Sequence, residues 1–158
     1  MKVIFLDIDG VLNTQMTPTR TSKKGYLLAT DPYKVFLINR MAEINGYRFV
    51  LSSDWRHMKN WEDVLKANGL VFNFLGRTES FHKLDLPDHE VNLARVNRLE
   101  RGYEIRDWLE KHDPVEGYVI IDDFDEFLPE QANNKVIVNH MVGLTEEIVE
   151  KVIHILEK

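Results

Sequence analysis

Three short apolar runs in this chain each stop at a polar pair, and that pattern most narrows its fold. Lys2-Val3-Ile4-Phe5-Leu6 runs into Asp7-Ile8-Asp9-Gly10, Arg48-Phe49-Val50-Leu51 into Ser52-Ser53, and Tyr118-Val119-Ile120-Ile121 into Asp122-Asp123. A continuous run of β-forming apolar residues reads as a strand covered on both faces, and such strands belong to parallel sheets. Asp31-Pro32 opens a helix over residues 31–45, with Asp as cap and Pro at the first helical position. Val35, Leu37, Ile38, Met41, Ala42 and Ile44 give it an apolar stripe, and Asn45-Gly46 stops it. Residues 59–68 predict a second helix, and Leu70 to Leu75 a third strand. Residues 76–100 read as irregular, with a turn at Asp85-Leu86-Pro87-Asp88. Glu104 to Lys111 predicts a helix ended by Asp113-Pro114, Val136 to Val138 a last strand, and Thr145 the cap of a final helix. Strands and helices alternating in this way predict an α/β fold, a parallel sheet with helices on both faces.

Length and composition remove several classes of function. The 158 residues are one domain's worth of chain, so residues 1–158 are expected to form a single domain. No segment reads as a linker, a repeat or a low-complexity tract. The chain has no cysteine, which excludes disulfides, zinc-thiolate sites and thiol catalysis. No apolar run is long enough to span a membrane, and Asp7 and Asp9 break the first one too early for a signal sequence. A cytoplasmic protein with no membrane partner is expected. Twenty basic residues against 26 acidic ones leave a net charge of −6, which argues against a general nucleic-acid coat but not against a local basic patch.

In an open parallel sheet, ligands bind beyond the carboxyl ends of the strands, so one cleft would collect all three polar clusters. Two carboxylates two residues apart behind a buried strand are costly unless paired or metal-bound. One of Asp7 and Asp9 suits attack on an electrophile such as phosphorus, and the other suits proton transfer; the alternative is a pair of capping aspartates. Gly10 lets the chain turn sharply there. Asp122-Asp123 offers hard oxygens of the kind Mg²⁺ prefers, or is an acidic loop extended by Asp125 and Glu126. Ser52 or Ser53 would hold a phosphoryl oxygen, with Arg56 adding a fork of donors, unless the pair only caps a turn. Trp55 reads as core. Arg101 either reaches a carboxylate-phosphate centre or is solvated beside Arg95, Arg98 and Arg106. His82, Asp85, Asp88 and His89 match no metal-binding spacing, and no second metal is expected there. Each feature has an ordinary explanation alone; their joint order does not.

In this order the residues resemble the haloacid dehalogenase (HAD) superfamily. Asp7-x-Asp9-Gly10-Val11 is similar to its first motif, Ser52 to the second, Arg101 to the third and Asp122-Asp123 to the fourth. The likeness covers almost the whole chain. Val50 to Arg56, Arg101 to Leu109 and Gly143-Leu144-Thr145 look like the small HAD domains associated with RNA-repair proteins, distant relatives of the 3′-phosphatase domain of polynucleotide kinase-phosphatases. The resemblance implies a three-layer Rossmann-like core. It also implies a Mg²⁺-dependent phosphatase working through an aspartyl-phosphate. Asp7 would be nucleophile and metal ligand. Asp9 would be general acid/base and lend its backbone carbonyl to the metal. Ser52 and Arg101 would hold the phosphoryl group, with Ser53 as the fallback and Arg56 on the substrate phosphate. Asp123, with Asp122 beside it, would bind Mg²⁺.

The two positions where such folds carry caps, residues 13–30 and 76–100, are too short here for a cap domain. An open cleft suits a bulky phosphorylated substrate such as an RNA or DNA end. Arg20, Lys23 and Lys24 on one loop, with Arg95, Arg98 and Arg101 on the other, would form a basic rim along it. Tyr26 and Phe81 would stack on a base or anchor their loops. A general small-metabolite phosphatase and a non-catalytic phosphate-binding module remain as other readings. A receiver domain fits poorly, because its acceptor aspartate ends a later strand. The sequence carries no signal for oligomeric state.

Overall fold

The computed structural model describes residues 1–112 and 114–158. In chain order the elements are β1 (Lys2–Leu6), a ribbon of β2 (Arg20–Thr21) and β3 (Leu27–Leu28), α1 (Pro32–Asn45) and β4 (Arg48–Leu51). Then come α2 (Trp61–Ala67), β5 (Gly76–Arg77), α3 (Asp88–Asn97), α4 (Glu100–Lys111), β6 (Gly117–Asp122), β7 (Lys135–Ile137) and α5 (Glu146–Leu156). Five strands form one sheet in the order β5-β4-β1-β6-β7, and every pair in it is parallel. This is the α/β, Rossmann-like core expected from the sequence.

The central strand explains the uninterrupted apolar runs. Ile4 and Leu6 join the core formed by α1, α2 and α5, while Val3 and Phe5 turn the other way onto Ile105 and Trp108 of α4. Residues on both faces of β1 are therefore excluded from water, and no alternation survives. Leu6 lies between Leu51 and Ile121 in register. The next residue of each strand thus emerges beside its neighbours: Asp7 N–H donates to the Ile121 carbonyl and Ser52 N–H to the Leu6 carbonyl. Helix α1 begins as expected, with Asp31 accepting from Tyr33 N–H and Pro32 at the first position, and ends on Gly46 at φ 67°.

Two stretches depart from the sequence expectation. Leu70 to Leu75 is not a strand. Its apolar residues form an aromatic cluster instead: Phe72 stacks 4.3 Å from Phe49, and Phe74 meets Trp61 edge-on at 5.8 Å. Sheet pairing starts only where Leu75 N–H reaches the Phe49 carbonyl, so the strand is displaced to Gly76–Arg77. Residues 76–100 are not irregular either. They contain α3, whose weak stripe buries only Ala94 completely, within a small cluster of Phe81, Tyr103 and Leu128. Asp88 and Glu90 in its first turn and Arg95 in its last complement the helix dipole, a signal that was present in the sequence. Helix α4 begins at Glu100, a turn before the expected Glu104. Asp113, read as part of its stop, lies outside the described residues.

The 13–30 segment is folded rather than loose. Asn68 at the end of α2 accepts from Ala29 N–H at 2.9 Å and donates to the Leu27 carbonyl at 2.7 Å, hanging the β2–β3 ribbon on the body of the fold. No helix of the described residues is long and apolar enough to cross a membrane.

Candidate active site

Beyond the carboxyl ends of β1, β4 and β6 lies a cleft of about 380 Å³, lined by Asp7, Asp9, Asp54, Arg56, Arg101, Glu104, Asp122 and Asp123 among others. The register described above places Asp7 and Asp122 side by side, and the turn after β6 brings Asp123 to them. One carboxylate oxygen from each of these three residues lies within 4.8 Å of the others. Asp7 and Asp122 are almost wholly buried. Burial lifts the Asp7 carboxyl well above its ordinary range, and the neighbouring Asp122 and Asp123 add to the shift against the opposing charge of Arg101. Burial likewise raises Asp122 to about 7, although Phe124 N–H and Arg101 pull the other way. A carboxylate cluster this desolvated calls for a cation, and its all-oxygen donor set suits a hard divalent ion such as Mg²⁺.

Gly10 is where the backbone requires a glycine. Its φ is +80°, and a Cβ there would collide with the Asp123 carboxylate. The turn of the first motif thus leaves room for the third acid.

Arg101, on the first turn of α4, is the cation beside this cluster. Its Nε is 4.0 Å from Asp122 and one terminal nitrogen is 3.6 Å from Asp54. Burial alone would lower its pKa, but Asp7 and Asp122 outweigh that and hold the guanidinium charged. Among the described residues its Nη1 is buried with no partner, and so is the hydroxyl of Ser52. Buried polar atoms without partners are rare, and Arg101, which lines the cleft, offers such a donor to an anion there; Ser52 does not line the cleft.

Ser53 is placed differently. Its hydroxyl accepts from Trp55 N–H at 3.2 Å and caps the 3₁₀ turn Asp54–His57, the role of an ordinary turn serine. Arg56, expected on the substrate phosphate, lines the cleft. Its side chain is buried, donating to Glu104 at 2.7 Å and to the Ser53 carbonyl at 3.1 Å, so only Nε is left unpartnered.

Asp9 stands apart from the acidic cluster. It is exposed, and its Oδ1 accepts two bonds, from the Trp55 indole N–H at 3.1 Å and from Asn13 Nδ2 at 3.0 Å. Sequence reasoning took Trp55 only as core and passed over Asn13. Trp55 is core, at 4% exposure, yet its one polar atom is turned to Asp9.

A second compartment of about 760 Å³ opens on the far side of Asp9, between the 13–30 segment and the loops after β4 and β6. Thr14, Gln15, Thr17, Trp55, Met58 and the 63%-exposed Phe124 line it. Among the described residues no lysine or arginine does. Of the six cations expected on a rim, only Arg101 lines the cleft. Arg20 faces a separate groove with Pro32 and Phe36, and Arg95 lies 6.0 Å over the Phe81 ring. Phe81 is buried against Tyr103, and Tyr26 packs on the main core, so both anchor their segments.

A model of the family described as the HAD domain in Swiss Army Knife RNA repair proteins matches residues 3–149. No curated protein matches the chain.

Proposed function

Since the chain belongs to this HAD domain family, we propose that it is a Mg²⁺-dependent phosphomonoester hydrolase acting on the phosphate of a nucleic-acid end or nucleotide. The observation that carries this is the meeting of Asp7, Asp122 and Asp123 in a cleft also lined by Arg101, whose Nη1 has no partner among the described residues. Asp7, Asp122 and Asp123 would hold the ion, with Asp9 lending its backbone carbonyl. The ion would supply positive charge against the phosphoryl oxygens. Phosphoryl transfer is mostly a matter of positioning and charge neutralisation, and Ser52 Oγ and Arg101 Nη1 are fixed donors for that purpose.

In the first half-reaction a carboxylate oxygen of Asp7 forms a bond to phosphorus. The bond from phosphorus to the ester oxygen breaks, and its electron pair leaves with the alcohol oxygen. That oxygen takes the proton of the Asp9 carboxyl. In the second half, water attacks the aspartyl-phosphate, gives a proton to Asp9 and restores Asp7 with release of inorganic phosphate.

The compartment beyond Asp9, the proton donor, would receive the departing alcohol. The exposed Phe124 ring offers a stacking face for a base. The absence of lysine and arginine from its described lining favours a second reading, a phosphate ester of a smaller neutral alcohol. Phosphate release with Mg²⁺ from an oligoribonucleotide 3′-phosphate and from a mononucleotide, with Asp7→Asn as blank, separates the two. Release from the oligonucleotide that vanishes in the blank supports end repair. Release only from small esters supports the second reading, and Mg²⁺ binding without any release supports a phosphate-binding module.

A further inference from the structure

We propose that Trp55 and Asn13 are positioning residues that decide which oxygen of Asp9 carries the catalytic proton. The inference rests on the phosphatase reading above and concerns how its general acid is aimed. The indole N–H of Trp55 and the carboxamide NH₂ of Asn13 both donate to the same atom, Asp9 Oδ1, at 3.1 and 3.0 Å. Neither group can accept a hydrogen bond through those nitrogens. Two obligate donors occupy the two lone pairs of Oδ1, so a proton placed there would point at another N–H. The proton is therefore confined to Oδ2, the oxygen with no donor among the described residues.

Neither donor is free to turn away. Asn13 Oδ1 accepts from Gly10 N–H at 3.0 Å, and its Nδ2 also donates to the Ala29 carbonyl at 2.8 Å. Flipping the amide would lose all of these bonds. The Trp55 ring is packed in the core, and its backbone N–H is tied to Ser53. The two donors come from different parts of the fold, one from the segment after the first motif and one from the turn after β4. Asp9 itself is exposed, and without them its carboxylate would sample several rotamers. Both donors also line the outer compartment, and Asp9 itself lines both that compartment and the acidic cleft, so they hold it at the boundary between the two.

A general acid matters most when the leaving alkoxide is a strong base. The test is the dependence of kcat on the leaving group across phosphate monoesters from activated nitrophenols to simple alkanols, with Mg²⁺ present. Wild type should show a shallow dependence. Trp55→Phe keeps the ring and deletes the N–H; its loss on alkyl esters should exceed its loss on nitrophenyl esters by roughly tenfold or more, part of what general acid catalysis supplies. Asn13→Ala leaves the indole contact in place and should steepen the dependence in the same direction. Equal losses on all esters in both variants would make the two residues merely structural and overturn the inference alone. A wild-type protein inert toward the whole series would overturn the phosphatase reading and this inference with it.

Discussion

Arg56 and Glu104 meet at 2.7 Å beneath the cleft, with both side chains at most 6% exposed. The same Glu104 oxygen accepts from Phe81 N–H at 2.9 Å, and Arg56 also donates to the Ser53 carbonyl. The pair therefore fastens the turn after β4 to α4 and to the 81–83 turn, the elements that carry Ser52 and Arg101. Removing one member leaves the other as a buried, unpaired charge. Glu104→Ala should lower stability by about 3–5 kcal/mol in urea unfolding, and the double replacement with apolar residues of similar volume should cost much less than Glu104→Ala.

Ser52 and Ser53 should separate cleanly in behaviour. The Ser52 hydroxyl is buried without a partner, so Ser52→Ala removes an unsatisfied group and should leave the melting temperature unchanged or raise it. The same change should lower kcat by roughly 10²-fold, the scale of a lost oxyanion donor. Ser53→Ala should do the reverse, costing about 1 kcal/mol through its lost cap with a smaller effect on turnover.

The turn at Gly10 sets a third expectation. Gly10→Ala forces a side chain into a φ of +80° and into the place of the Asp123 carboxylate. The backbone strain should cost about 1–2 kcal/mol. Displacement of Asp123 should also weaken the rise in melting temperature that Mg²⁺ gives the wild-type protein.

The acidic cluster predicts how the metal-free protein responds to pH. The Asp122 carboxyl sits at about 7 when folded, above its ordinary value of 3.8, and Asp7 is raised as well. A carboxyl raised by folding contributes stability that is complete below its unfolded value and is lost as pH climbs through its folded value. The melting temperature of the metal-free protein should therefore fall between about pH 4 and pH 7 on account of Asp122, with Asp7 adding to the loss. For each carboxyl the loss of unfolding free energy is at most about 1.4 kcal/mol for every step of one in pH. Asp122→Asn should flatten that fall, and it should also remove the response to Mg²⁺.

The meeting of Asp7, Asp122 and Asp123 was legible in the sequence because they stand at the ends of two strands that must be buried on both faces. Arg101 was reachable because a cation on the helix before β6 lies opposite those strand ends. The third strand was not legible: Phe72 and Phe74 satisfy their hydrophobicity through aromatic packing, and a run of apolar residues does not reveal which partner it will choose. Helix α3 hid behind its exposed Leu93 and Val96, which blur the helical stripe. The ion pair of Arg56 was not legible, because a buried partner 48 residues away leaves no local trace. Trp55 looked like core and is core; only the direction of its indole nitrogen adds the second role.

Strand β1 lies between β4 and β6, and its partner in β6 is more than one hundred residues away in the chain. During synthesis β1 can pair with β4 early, but its other edge stays bare until β6 has been made. That edge is apolar and ends in Asp7, whose companions Asp122 and Asp123 follow more than one hundred residues later. The nascent chain thus passes through a long interval with an unpaired, adhesive strand edge and no completed acid cluster. Closure of the sheet and assembly of the cation site are then one event, and ribosome-bound fragments ending before Gly117 should depend on chaperones in a way the full chain does not.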